Sequence, residues 1–228
     1  MADRVHDLAQ ELMKLRKNPV LLLDCDITHS VMLKLESELS GHQIKELDAI
    51  LQTGGGSIEA AYGMTKILRQ CAKKLNIIVP LFAKSAGTFI CLAGDRILLS
   101  GISELGPLDP QMPETQEGDT FTHKSALNGF KALDQLLQQS LVHLDMAAKF
   151  FRHDMEMKMS DVVKHAVDFV EATCGQLYAK MNPKEIGEYA RELEVGEAYG
   201  LRLLTKTMGW DKSKATQTIR RLVYNNLQ

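Results

Sequence analysis

The chain has 228 residues, 45% of them apolar and 25% charged, with a net charge of −2. That balance suits one large globular domain, or one domain with a helical appendage, and excludes a disordered or fibrous chain. With a pI near 6.4, no global basic field draws it to nucleic acid or lipid.

In residues 2–17, Val5, Leu8, Leu12, Met13 and Leu15 form an approximate apolar stripe that predicts a short amphipathic helix. This N-terminus is acidic and lacks the apolar run of a signal peptide, and no stretch approaches the length of a membrane span. Asn18-Pro19 stops the helix. Residues 20–23 are wholly apolar, as expected of a parallel strand covered on both faces. They end at Asp24 and Asp26; two acids without further ligands solvate a strand end better than they hold a metal, so no metal is expected. Thr28 and Ser30 are placed to cap a helix over 29–40.

The second strand, 46–51, runs into Thr53-Gly54-Gly55-Gly56-Ser57 and then a helix over 58–70. Three glycines between strand and helix leave a backbone-only surface whose N–H groups can face a carbonyl oxygen or a phosphate. A packing turn explains one glycine well and three poorly. Neither the dinucleotide fingerprint nor the P-loop ending is present, which counts against nucleotide binding by this loop.

Lys73-Lys74 reads as a solvated helix end, and 75–79 as a third strand leading to Ser85-Ala86-Gly87. A serine at a strand-to-helix turn has its hydroxyl held clear of the strand, facing free helix N–H groups and the positive dipole end. Those are the needs of a nucleophile with an oxyanion hole. The competing reading is a plain N-cap. A helix over 87–93, a turn at Asp95-Arg96 and a strand over 97–100 follow. Residues 106–113 are too proline-rich for helix or central strand. The βαβαβαβ order predicts parallel strands with right-handed crossovers, and sites form where such strands end. Both 54–57 and 85–87 lie there.

Residues 114–123 read as an exposed polar loop. Beyond it strand signals vanish, and helices are expected over 124–151, 160–181, 183–193, 196–208 and 212–227, with Ser160 and Asp211 as N-caps. The apolar stripes of the last two, including Leu201, Leu204, Ile219 and Val223, either cover the sheet or pair subunits. A faint helix-turn-helix rhythm around Gly209 is better explained as a packing hairpin, because the basic stripe of a DNA reader is only partial. Cys25, Cys71, Cys91 and Cys174 form no C-x-x-C pair and read as reduced thiols in a cytoplasmic protein.

The segments Thr53-Gly54-Gly55-Gly56-Ser57, Ala83-Lys84-Ser85-Ala86-Gly87-Thr88, Ala93-Gly94-Asp95-Arg96-Ile97 and Leu105-Gly106-Pro107-Leu108-Asp109-Pro110-Gln111, in this order, resemble the serine dehydrogenase proteinase family. That family shares the Clp protease and crotonase fold with signal peptide peptidase A. The resemblance covers residues 18–150. It implies an α/β core of repeated ββα units with a parallel sheet over 1–122, followed by a helical region over 123–228 that completes the site and pairs subunits. It makes Ser85 the nucleophile and the N–H groups of Gly55 and Ala86 the oxyanion hole, with Gly54, Gly56 and Ser57 as substrate-binding neighbours. The histidine of Clp subunits falls where this chain has Pro110 and Gln111, so the serine–lysine dyad of signal peptide peptidase A is the better match. Lys124 is then the expected base, since desolvation can lower a lysine's pKa enough for that task. Lys131 and His123 are the alternatives. Lys84 is discounted, because neighbours on a strand point to opposite faces.

The resulting expectation is a cytoplasmic serine endopeptidase that acts on a peptide or protein substrate. It is expected to be a homo-oligomer with no cofactor, no nucleic-acid partner and no integral membrane segment. The alternatives are a crotonase-like acyl-CoA enzyme that uses the same two N–H groups on a thioester enolate, and a non-catalytic peptide-binding or assembly protein.

Overall fold

The computed structural model describes residues 2–108, 111–115 and 121–224; for residues 2, 3, 5, 6, 111–115, 121–126 and 130 it describes the backbone alone. Four apolar stretches pair into one parallel sheet: β1 (Val20–Asp24), β2 (Ile44–Gln52), β3 (Ala72–Val79) and, after the two-residue β4 (Phe82–Ala83), β5 (Arg96–Leu99). Their order is β1-β2-β3-β5. The register runs straight across, so Leu21, Ala49, Ile77 and Ile97 form one row and Leu22, Ile50, Ile78 and Leu98 the next. Helices α1 (Ala2–Arg16), α2 (His29–Leu39), α3 (Ile58–Cys71) and α4 (Ala86–Cys91) fall between or before these strands. Leu47, Leu51, Leu75 and Ile77 of the sheet, with Met64, Leu68 and Phe89 of the helices, are fully buried and make the core.

Past each core strand the chain bends into a second, shorter layer. Ile27 bridges to Gly56, Thr53 bridges to Ala83, and β4 pairs with β6 (Glu104–Leu105), all in parallel. Each repeat is therefore a core strand, a short second-layer segment and a helix, the ββα unit that the resemblance implied. The second layer carries the glycine loop and the serine turn.

Contacts divide the chain into two units, Met1–Gln111 with Glu192–Gln228, and Met112–Arg191. In the second, α5 (Ala126–Lys149) packs on α6 (Met159–Ala179), with Ser140 Oγ 3.2 Å from Tyr178 OH. Strands β7 (Gln111–Thr115) and β8 (Phe121–Ser125) form a separate two-stranded sheet. The last helices are α7 (Pro183–Arg202) and α8 (Lys212–Tyr224). No described helix is long and apolar enough to cross a membrane.

Several sequence expectations change. Lys73 and Lys74 belong to β3, because pairing of Ala72 with Ile44 and of Lys74 with Glu46 of β2 extends that strand backwards and outweighs local preference. The loop expected over 114–123 contains the end of β7 and the start of β8; residues 116–120 lie outside the described residues. The helices expected over 183–193 and 196–208 are one, since α7 runs through Gly196. Glycine inside this helix serves close packing: a Cβ on Gly200 would lie 2.6 Å from Ile219 Cδ1 of α8. Ser160 lies inside α6 rather than at its N-cap, whereas Asp211 Oδ1 does cap α8, accepting from the N–H groups of Ser213 (2.9 Å) and Lys214 (3.1 Å).

Among the described residues one charged side chain lies in the core. Asp48, in the middle of β2, is completely buried. It accepts hydrogen bonds from the Arg16 guanidinium of α1, from Asn76 Nδ2 of β3 at 2.6 Å and from Asn18 Nδ2 at 3.3 Å. Burial pushes its carboxyl up, but these hydrogen bonds outweigh burial and hold it below the ordinary aspartate range. A depressed native pKa contributes stability above the unfolded value, and that stability is lost as pH falls through the native one. Arg16→Ala leaves the charge buried without its cation and should destabilise the chain by about 3 kcal/mol in urea unfolding at neutral pH. Acidification below about pH 4 should then unfold the parent more steeply than the variant.

Candidate active site

The serine turn is built from both sides. Thr53 N–H donates to Phe82 O at 3.2 Å and Lys84 N–H to Thr53 O at 3.0 Å, so the end of β2 is sewn to β4. On the other flank Ile27 N–H donates to Gly55 O and Ser57 N–H to Ile27 O, both at 2.9 Å. The glycine loop is thus held between the segment after β1 and the segment after β3. Gly56 (φ +141°) approaches Ile27 so closely that a Cβ would sit 2.1 Å from Ile27 O. Gly55 (φ +120°) faces the serine: a Cβ there would lie 3.0 Å from Ser85 Cβ and 3.2 Å from Lys84 O.

Ser85 has φ +49° and ψ −116°, a conformation that L-residues rarely adopt. It occupies the N-cap position of α4, yet its side chain makes no capping hydrogen bond. The plain N-cap reading therefore does not explain it. The residue is 9% exposed. It opens onto a cleft of about 120 Å³ that Gly56, Ser57, Glu59, Leu108 and Glu192 also line.

Thr88 in α4 holds the turn from below. Its buried hydroxyl lies 2.7 Å from Ala83 O and 2.8 Å from Gly106 O, and it accepts from Gly106 N–H at 3.1 Å. Behind Ser85 the space is taken: a Cβ on Gly87 would lie 2.5 Å from Thr53 Cγ2. Lys84 points its ammonium to Glu104, whose carboxyl this partner holds below the usual glutamate range. Lys84 is thus engaged on the surface. Burial pushes the Cys91 thiol, at the far end of α4, up to about 12, which leaves it neutral and inert.

Among the described residues the Ala86 N–H, at the first position of α4, takes no hydrogen bond, whereas Gly87 N–H is bound to Lys84 O at 2.8 Å. The Gly55 N–H donates to Thr53 Oγ1 at 3.1 Å, while that of Gly56 takes none among the described residues. A Cβ on Gly54 would meet nothing within 4 Å, so the loop is open on that side. Ser57 is occupied as the cap of α3, accepting from Ala60 N–H at 3.1 Å and donating to Glu59 Oε2 at 2.9 Å. The structure therefore brings Ser85, Ala86 and the glycine loop together. His123 and Lys124 fall on β8, with side chains outside the described residues, and Lys131 is a half-buried residue of α5 in the second unit. Thr53 and Thr88 stand in the sequence only as ends of matching segments, with no role assigned, and Glu192 not at all; a threonine inside the apolar run after Ser85 is the available signal for Thr88, and none exists for Glu192.

A family model described as ClpP-like SDH-type serine proteinase matches residues 35–198. Among curated proteins, an uncharacterized protein of Methanocaldococcus jannaschii is 34% identical over 107 residues, covering 46% of this chain and 35% of its own length. A second from the same organism is 24% identical over 143 residues, covering 62% and 43%. The chain thus spans less than half the length of these relatives. Among solved structures, a serine-to-alanine variant of the 1510-N membrane-bound stomatin-specific protease is similar at 14% identity and TM-score 0.36, over 67% of this chain and 76% of that one. A lysine-to-alanine variant of the same protease, in complex with a substrate peptide, is similar at 20% identity and TM-score 0.37, over 66% and 73%.

The backbone at Ser85 can be tested without any substrate. Ser85→Gly and Ser85→Ala both lose the hydroxyl, but only alanine keeps a Cβ at positive φ. The glycine variant should be the more stable by about 1 kcal/mol in urea unfolding, and equal stabilities would mean that the turn is unstrained.

Proposed function

The chain belongs to the ClpP-like SDH-type serine proteinase family, and we propose from this and from the turn at Ser85 that it is a serine endopeptidase. The observation that carries the reading is the positive φ of a non-glycine residue at a strand-to-helix turn, pressed against a glycine loop and opening onto a cleft. A residue held this way costs about 1–3 kcal/mol and persists where its position serves a function.

In this proposal Ser85 Oγ attacks the scissile carbonyl carbon while Lys124, as a neutral amine, takes the hydroxyl proton. The carbonyl oxygen becomes an oxyanion, held by the Ala86 N–H and by a donor from the glycine loop. Gly56 suits that second role better than Gly55, whose N–H would first have to release Thr53. Collapse breaks the C–N bond, the Lys124 ammonium protonates the leaving amine, and an ester to Ser85 remains. Water, deprotonated by Lys124, then attacks the ester; the proton returns to Ser85 Oγ as the acid product leaves. The peptide lies beside Gly54 on the open side of the loop, pairing by its backbone.

Four free cysteines favour a reducing, cytoplasmic setting. Apolar residues exposed on and near the edge strand β5, among them Ile97, Leu99 and Ile102, favour a homo-oligomer. An acyl-CoA enzyme is the weaker reading, because a cleft of about 120 Å³ is smaller than the ~300–1,000 Å³ typical of small-molecule sites and the thioester reaction needs no strained serine.

A fluorophosphonate probe tests the mechanism. It should label the parent but neither Ser85→Ala nor Lys124→Ala, and both variants should lose peptidase activity by about 10³-fold or more. Labelling that survives in Lys124→Ala but is lost in Lys131→Ala or His123→Ala would move the base; an unlabelled but folded parent would overturn the proposal.

A further inference from the structure

A second concave site lies in the first unit, away from Ser85. Tyr62 of α3 forms one wall, Arg202, Thr205 and Lys206 from the end of α7 a second, and Trp210 and Lys212 at the start of α8 the rest; the groove holds about 560 Å³. That volume falls within the ~300–1,000 Å³ range of small-molecule sites. Its charge is one-sided: three cationic side chains line it and no acid does. Two more ammonium groups stand over the aromatic faces, Lys214 4.5 Å from the Trp210 ring centre and Lys66 5.8 Å from that of Tyr62. Two acids of the neighbouring helices have partners of their own. Asp211 caps α8, and Glu197 accepts from Arg220 at 3.0 Å and from Tyr224 OH at 3.2 Å. The chain as a whole is slightly acidic, so this basic cluster is a local feature.

The backbone here is built for more than packing. The end of α7 widens into a π-helical turn, Leu203–Thr207, closed by Met208 N–H on Leu203 O at 3.0 Å. Such turns concentrate at functional sites. Gly209 (φ +68°) then reverses the chain, and the backbone N–H of Trp210 donates to Leu204 O at 2.8 Å, which fixes the main chain where the indole branches off. Tyr62 is held as firmly, 5.0 Å from the Tyr199 ring centre and edge-on to Phe89.

Fixed aromatic rings, guanidinium and ammonium groups in one concave space match one ligand chemistry: phosphate on the cations and a planar base on the rings. We infer that this groove binds a nucleoside phosphate, with its phosphates on Arg202, Lys206 and Lys212 and its base against Trp210 and Tyr62. The same chemistry is offered by a free nucleotide and by a single strand of nucleic acid. Lys212, Arg221 and the Glu197-paired Arg220 line an adjoining open surface along α8, with Asp211 its one acid, and a strand would continue there.

Trp210 is the only tryptophan in the chain, so its emission reports on the groove directly. The full chain is titrated with ATP, tripolyphosphate, adenosine and single-stranded oligo(dA), with calorimetry alongside. ATP should change Trp210 emission saturably, and tripolyphosphate and adenosine should each bind at least ~10-fold more weakly, because each offers only half of the recognition. Arg202→Gln and Lys206→Gln should each weaken ATP by about 10-fold with unchanged circular dichroism. If ATP displaces the oligonucleotide and binds more tightly, the ligand is a free nucleotide; if the oligonucleotide binds more tightly and displaces ATP, it is a strand. No saturable signal at millimolar ATP, equal affinity for tripolyphosphate, or unchanged binding in the two variants would each overturn the inference.

Discussion

The structure around the site depends on one close approach, that of the glycine loop to the serine turn. Gly55 comes so near Ser85 that a single added carbon would press on the serine's own Cβ. Ile27 on one side and Thr53 with Phe82 and Lys84 on the other hold the two segments there through backbone hydrogen bonds. A turn with positive φ at a non-glycine residue would relax if left alone. Here the hydrogen bonds on both flanks, and the Thr88 hydroxyl beneath, leave it nowhere to relax to. Strain at one residue is thus supported by many ordinary contacts.

Those contacts exist because the fold is layered. The core sheet is held by apolar rows that run straight across four strands, and only after each strand leaves that sheet does the second layer form. The second layer is small, a few bridges and a pair of two-residue strands. Its rigidity is borrowed from the sheet below. Asp48 belongs to the same logic: its hydrogen bonds tie α1 to β2 and β3 and fix a terminal helix against the sheet. A buried carboxylate contributes little net stability, but its partners are hard to exchange, so it restrains which helix docks there.

The end of α7 and start of α8 show a different principle. A π-helical turn, a glycine with positive φ and a carboxylate cap follow one another within a few residues. Each settles backbone groups that a plain helix end would leave unpaired. Together they set two aromatic rings and several cations around one groove. Read as a line of residues, this stretch was a packing hairpin; its apolar side is indeed buried, with Leu203, Leu204, Ile219 and Val223 fully covered.

Local pattern by itself determined a good deal. Apolar runs at strand length, separated by helical stripes and glycine turns, specified the parallel α/β core, because those periods belong to the backbone and need no partner. The serine and the three glycines stood out for the same reason, as small residues where an apolar strand should have continued. Tertiary structure alone decided the rest. Lys73 and Lys74 became strand because β2 offered hydrogen-bond partners. Gly196 and Gly200 did not break α7, and at Gly200 the missing Cβ is what lets Ile219 of α8 pack close. Which glycine N–H is spent and which is left open depended on the Thr53 hydroxyl, and Glu192 reached the Ser85 cleft from more than a hundred residues away. Pairing partners, close approaches and the fate of single hydrogen bonds are properties of positions in space, and no spacing along the chain encodes them.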